Sequence, residues 1–189
     1  MGLARGASPP TALTPGGASG VASRSQNARR PGARPLVAYF SRSGNTRVVA
    51  GLIHRGLNAD LFEIRPLRPY PDDYLETVEQ AREECDTGYE PPLQAKLPDI
   101  ETHATVYLGF PIWGETVPPV IRAFLKAHDL AGMAVIPFVT HGGYGLGNSL
   151  NVIASHAPKA RLLEGFTMQA DRERQTMDRV MGWLTHHTE

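Results

Sequence analysis

From Leu36 onward, short apolar runs alternate with amphipathic stretches, and this alternation constrains the fold more than any other feature of the chain. Leu36-Val37-Ala38-Tyr39-Phe40 is an apolar run of strand length. Ser43-Gly44-Asn45 breaks it, and Val48, Val49, Leu52, Ile53 and Leu57 then recur at helical spacing over residues 46–57. Residues 60–65 read as a second strand closed by Pro66. A charged helix with Tyr74, Leu75, Val78 and Ala81 on one face is expected over 71–85. Further strands are expected over 104–110, 134–140 and 161–168, and further helices from Pro118-Pro119, over 148–156 and over 171–186. Five strands alternating with helices predict an α/β fold, a doubly wound parallel sheet of order 2-1-3-4-5 with helices on both faces. Ligands of such sheets bind outside the carboxyl ends of the strands, at the point where the winding reverses. The loops after Phe40, Phe110 and Val139 are therefore the places to look for chemistry.

The first 34 residues differ from the rest. They are rich in Gly, Ala, Pro, Ser and Arg and carry almost no large apolar side chain, so they read as a disordered tail ahead of one domain over 35–189. Arg29-Arg30 invites an export reading, but the residues after this pair lack the apolar stretch of about 7–15 residues that a signal needs. A tail, or a start codon assigned too far upstream, fits better. The zero net charge hides an asymmetry: the tail holds five arginines and no acid, leaving 14 basic against 19 acidic residues for the domain. That balance offers no electrostatic footprint for nucleic acid. It also falls short of the heavily acidic surface with which small electron carriers steer their partners. No apolar run reaches the roughly 18 residues that cross a bilayer, so no membrane partner is expected and the chain reads as soluble. One cysteine, Cys85, excludes an internal disulfide and a cysteine-based metal site. It reads as a spectator thiol and is consistent with a reducing, cytoplasmic setting. His54, His128 and His156 read as solvated helix residues, His186-His187 is too short for a metal site, and no metal is expected.

Ser41-Arg42-Ser43-Gly44-Asn45-Thr46 runs straight from a strand into a helix. Hydroxyls, a glycine and a helix N-terminus together make an anion cradle, because free amide N–H groups and the helix dipole both favour negative charge. The nucleotide-hydrolase phosphate loop is excluded by the missing Gly-Lys-Ser/Thr, and the dinucleotide fingerprint by its missing glycine spacing. Gly-x-Ser-x-Gly, the mark of a nucleophile elbow, occurs nowhere. A terminal phosphate suits this cradle. In the second loop, Trp113 beside Gly114 offers a planar ring for stacking. In the third, Gly142, Gly143, Gly145 and Gly147 let the backbone approach a pyrimidine-like edge closely, and His141 and Tyr144 are candidate proton donors.

Taken together these residues resemble a known family. Tyr39-Phe40-Ser41-Arg42-Ser43-Gly44-Asn45-Thr46 is similar to the flavodoxin phosphate loop. Residues 109–125, with Pro111-Ile112-Trp113-Gly114, and Pro69-Tyr70-Pro71-Asp72-Asp73-Tyr74 with the helix to Glu84 resemble a bacterial flavodoxin-like branch. The resemblance implies FMN as cofactor. It places Ser41, Arg42 (by its backbone), Ser43, Gly44, Asn45 and Thr46 at the phosphate. Pro111, Ile112, Trp113 and Gly114 would flank the isoalloxazine, and Thr140, His141, Gly142, Gly143 and Gly147 would meet the pyrimidine side and ribityl chain. The third loop lacks the acidic, aromatic-rich character of electron-carrier flavodoxins, which sets this chain apart from them.

An FMN-dependent oxidoreductase is the first expectation, taking a hydride or electrons from a nicotinamide or protein donor and passing them to a small acceptor. Its catalytic groups are unknown, with His141 and Tyr144 as candidates. The alternative is a non-enzymatic electron-transfer protein docking on protein redox partners. A flavin-free scaffold that kept the fold is a third. A homodimer, in which a second copy walls the site, stays open.

Overall fold

In a computed structural model the described residues are 33–170. The tail expected over 1–34 and the last helix expected over 171–186 lie almost wholly outside them. Strands β1 (Leu36–Tyr39), β2 (Asp60–Glu63), β3 (Thr105–Pro111) and β4 (Ala134–His141) form a parallel sheet. It is extended on the far side of β4 by two short segments, β5 (Arg161–Leu162) and β6 (Phe166–Gln169). The strand order is 2-1-3-4-5, as the alternation predicts. Helices α1 (Asn45–Leu57), α2 (Tyr74–Thr87), α3 (Pro119–Ala127) and α4 (Ser149–His156) connect the strands.

Side chains alternate across the sheet, and the two faces build separate cores. Leu36, Ala38 and Phe40 from β1 and its end join Val106, Leu108 and Phe110 from β3 beneath Val120, Ile121 and Phe124 of α3 and Ile153 of α4. Val37 and Tyr39 point the other way and pack with Phe138 against Val49 and Ala50 of α1. This period of two is what a central strand shows when both its faces are covered. Between β3 and β4 the chain has no room for a side chain at Gly109, where a Cβ would lie 2.1 Å from the buried Phe138 ring. Gly109→Ala is therefore expected to lower stability by about 2–3 kcal/mol, read as a fall in the urea midpoint. A neutral result would mean that Phe138 has another place to go.

The single fifth strand expected over 161–168 is corrected to two segments. Their pairing offsets against β4 differ by one residue, so one extra residue is accommodated between Leu162 and Phe166. Pro137 of β4 explains the break. Met133 and Val135 accept from Arg161 and Leu163 on this edge, and the next position on the same side is Pro137, which has no N–H to donate. Gly165 then crosses so close to Pro137 that a Cβ would lie 2.3 Å from its carbonyl oxygen.

Two helix faces also differ from expectation. In α2 the buried residues are Thr77, Ala81 and Glu84, while Tyr74, Leu75 and Val78 are exposed. Polar groups direct this burial. Asp73 caps the helix by accepting from the Leu75 and Glu76 amides, the Thr77 hydroxyl donates to the Pro71 and Asp73 carbonyls, and Glu84 accepts from Tyr70. In α1 Thr46, Val49 and Ala50 are buried, but Val48, Leu52 and Leu57 are exposed.

None of the three helix histidines is simply solvated. His54 bonds the Ala59 carbonyl through Nδ1, and His156 bonds that of Val152. His128 is buried, and both its nitrogens are engaged: Nε2 accepts from the Leu97 amide, so Nδ1–H donates to Phe124. Burial pushes His128 below its ordinary value, against the opposing effect of the Phe124 carbonyl. The neutral ring is thus the folded form. Its contribution to stability is present above the unfolded value of about 6.5 and lost as the pH falls through the lower folded value. Urea midpoints measured from pH 7.5 down to 5 are expected to fall more steeply for the parent protein than for His128→Gln. Parallel slopes would remove His128 from the account.

Candidate functional site

The three loops singled out in the sequence meet at the carboxyl end of the sheet. The first begins where β1 ends. Ser41 Oγ accepts from the Gly44 amide at 3.1 Å, which folds the loop into a tight turn. Gly44 sits at φ 96° immediately before α1, a conformation that glycine adopts without strain, and no side chain caps the helix. Most helices fill this position with a side-chain acceptor. Here the first-turn amides are left to an external acceptor, with the helix dipole behind them. The cations nearest in sequence are committed elsewhere. Arg47 donates to Glu63 at 2.6 Å, and Arg42 donates to the Asp72 carbonyl while lying over the Tyr74 ring. Burial pushes the Glu63 carboxyl up, but the bonds from Arg47 and Arg65 outweigh it and hold Glu63 below the usual carboxylate range. The cradle's positive character therefore comes from backbone.

Thr46 is buried, and its hydroxyl lies 2.8 Å from that of Thr140 at the end of β4. Only one of the two protons is used in that contact, so one hydroxyl proton of the pair remains for a ligand oxygen. The pair also ties the first loop to the third. Thr140 does a second job, since its carbonyl accepts from the Ile112 amide and ties the third loop to the second.

In the second loop Trp113-Gly114-Glu115-Thr116 forms a tight hairpin turn. Trp113 and Thr116 exchange both backbone hydrogen bonds, with Gly114 and Glu115 at φ 56° and 62°. Two successive positive φ values define the turn type that matches strand twist. Trp113 is half-buried and stands nearly perpendicular to Phe40 and to Tyr70, with ring centroids 5.3 and 4.8 Å away. Pro111 ends β3 beside Thr140. The Glu115 carbonyl accepts from the Asn148 amide. The close approach that Gly147 permits is to that same carbonyl, since a Cβ there would lie 1.9 Å from it. Gly147 thus serves to lock the second and third loops together.

The other third-loop residues are more open. His141 ends β4, and its Nδ1 accepts from the Gly143 amide at 3.1 Å. Gly142 and Gly143 are exposed, and Tyr144 is 73% exposed. Of the two candidate proton donors, His141 is the one held by a neighbour.

Sequence reasoning did not place the connection between β2 and α2 at the site. Tyr70, Asp72 and Tyr74 close over the first two loops, through Trp113 and Phe40 and through Arg42. Its signal was available, because a loop following β2 also opens at the carboxyl end of a parallel sheet. A cavity of about 210 Å³ lined by His128, Asp129, His156 and Lys159 lies at the opposite end of the strands. It is smaller than the roughly 300–1,000 Å³ of ordinary ligand pockets, and the loop geometry is the better guide. Among the described residues no group of three or more His, Cys, Asp or Glu side chains is arranged to hold a metal ion. No described helix is long and apolar enough to cross a membrane. Cys85 is half-buried beside Arg122, and burial raises its thiol despite that cation.

A sequence profile of the flavodoxin family matches residues 34–187. The chain belongs to the flavodoxin family. Two solved structures at 30% identity agree. One, from Bacteroides uniformis and classed as a flavoprotein, superposes with a TM-score of 0.68 over 74% of this chain and 92% of its own. The other, from Bacteroides eggerthii and classed likewise, gives 0.66 over 78% and 98%. A flavoprotein from Lactobacillus acidophilus, solved in complex with FMN, shares the fold at 18% identity, with a TM-score of 0.65 over 75% and 97%. No curated protein matches this flavodoxin-family chain.

Proposed function

We propose that this chain binds FMN at the three-loop site and works as an oxidoreductase that passes electrons or hydride through the flavin to a small acceptor. The observation that carries the cofactor is the start of α1, uncapped by any side chain and led by Gly44 at positive φ. The residues present fit the group. Amides of residues 45 and 46, the Ser41 and Ser43 hydroxyls and the remaining proton of the Thr46–Thr140 pair supply donors for a phosphate dianion, while the Gly44 amide holds the turn through Ser41. The half-buried Trp113 supplies a stacking surface, and the third-loop backbone supplies donors without bulk. FMN binding in the structurally similar Lactobacillus acidophilus protein supports the same assignment.

Bound FMN supplies the redox chemistry, and the protein's part is orientation and exclusion of water. Phe40, Tyr70 and Trp113 form an apolar wall beside the cradle. His141, with Nδ1 accepting from Gly143, carries its proton on Nε2 when neutral and can offer that N–H as a hydrogen-bond donor at the loop surface. An enzyme is favoured over a carrier by the third loop, which has no acidic residue between His141 and Ser149 with which to steer a protein partner. The family's name keeps the carrier as the second reading.

FMN-loaded protein mixed anaerobically with NADH or NADPH, with quinones then supplied as acceptors, separates the two. Bleaching of the flavin band followed by acceptor turnover is expected. Failure with both donors, together with reduction in two well-separated one-electron steps, would move the assignment to an electron carrier.

A further inference from the structure

Beneath Trp113 lies a polar contact that the cradle and the stacking surface do not account for. Tyr70 is buried, and its hydroxyl donates to Glu84 Oε2 at 2.8 Å. Glu84 is itself buried on the inner face of α2, where Gln80 Nε2 donates to its other oxygen at 2.9 Å. A buried carboxylate is costly unless its oxygens are satisfied, so α2 presents Glu84 inward only because Tyr70 and Gln80 meet it. The phenol is thereby held by α2. Its ring in turn meets Trp113 at an interplanar angle of 87°, and Phe40 meets Trp113 at 86° from beside the phosphate loop. Two near-perpendicular neighbours leave the indole one plane.

We propose that Tyr70, held by Glu84, is a positioning residue that fixes the plane of Trp113 and so sets how the flavin ring stacks. This rests on the FMN reading above. Rigid placement of a stacking ring strengthens binding because the ordering cost is met before the ligand arrives.

The test uses the full chain with Trp183→Phe, which leaves Trp113 as its one tryptophan. Tyr70→Phe and Glu84→Met each delete the phenol–carboxylate bond while keeping approximate volume, the second also removing the Gln80 contact, and Glu84→Gln keeps an acceptor for the phenol. Time-resolved anisotropy reports Trp113 in the apoprotein. Titration and visible circular dichroism report FMN affinity and the setting of the bound ring. Both deletions are expected to increase fast depolarisation of Trp113, weaken FMN about fivefold to tenfold and alter the flavin dichroism, with Glu84→Gln close to the parent. Should one deletion fail to fold, the other removes the same bond and decides alone. Unchanged Trp113 anisotropy in the folded variant overturns the proposal, whatever the affinity does. A parent protein that takes up no FMN would instead remove the cofactor reading, while the apoprotein anisotropy still tells whether Tyr70 holds the indole.

Discussion

Ser43→Asp is expected to abolish FMN retention while making the apoprotein slightly more stable. Ser43 is exposed in the turn just ahead of α1, where it makes no contact that burial would penalise. A carboxylate there faces the amide-rich start of the helix, which favours it by about 0.3–1 kcal/mol. The same carboxylate would face the phosphate dianion. At about 5–6 Å and an effective dielectric near 20, each like-charge pair costs roughly 3 kcal/mol, a loss of at least a hundredfold in affinity. Fold stability and cofactor affinity thus move in opposite directions, which simple misfolding does not produce. Fluorescence titration with FMN beside thermal unfolding reads both. Undiminished FMN affinity would place the phosphate somewhere other than the start of α1.

The second large effect concerns Gly147. Both Gly145 and Gly147 have positive φ, at 66° and 52°, but a Cβ at Gly145 meets nothing within 4 Å, whereas one at Gly147 overlaps the Glu115 carbonyl. Gly145→Ala is expected to cost about 1 kcal/mol from backbone strain alone. Gly147→Ala adds displacement of a backbone group and loss of the Asn148–Glu115 hydrogen bond, for a total of about 2–4 kcal/mol. Because that contact joins the Trp113 turn to the glycine-rich loop, FMN affinity is expected to fall about tenfold or more with it. Urea unfolding and FMN titration of the two variants check this as a pair. Equal costs at the two glycines would mean that the loops are not locked at Glu115.

The strand order and the three converging loops were legible because each depends on a pattern local to the chain: apolar runs of strand length, and glycine and hydroxyl residues at their ends. What escaped depends on a neighbour. Residues 161–168 read as one strand because nothing in that stretch reveals that Pro137, one strand away, withholds a ladder hydrogen. The inner face of α2 was misread because apolar periodicity favoured Tyr74, Leu75 and Val78, while a polar network around Thr77 and Glu84 decides which side turns inward. His128 likewise depends on the Leu97 amide, 31 residues away. At the site, Trp113 and the cradle were visible as residue types. Tyr70 was part of a recognisable run, but its role emerges only from the rings it meets.

The central claim is that an uncapped helix start, not only an aromatic surface, holds the cofactor by its phosphate. Titration of the purified apoprotein with FMN and with riboflavin, which differ by that phosphate alone, tests it most directly. The account predicts that FMN binds at least a hundredfold more tightly and that added inorganic phosphate weakens FMN but not riboflavin. Equal affinities for the two flavins would contradict it.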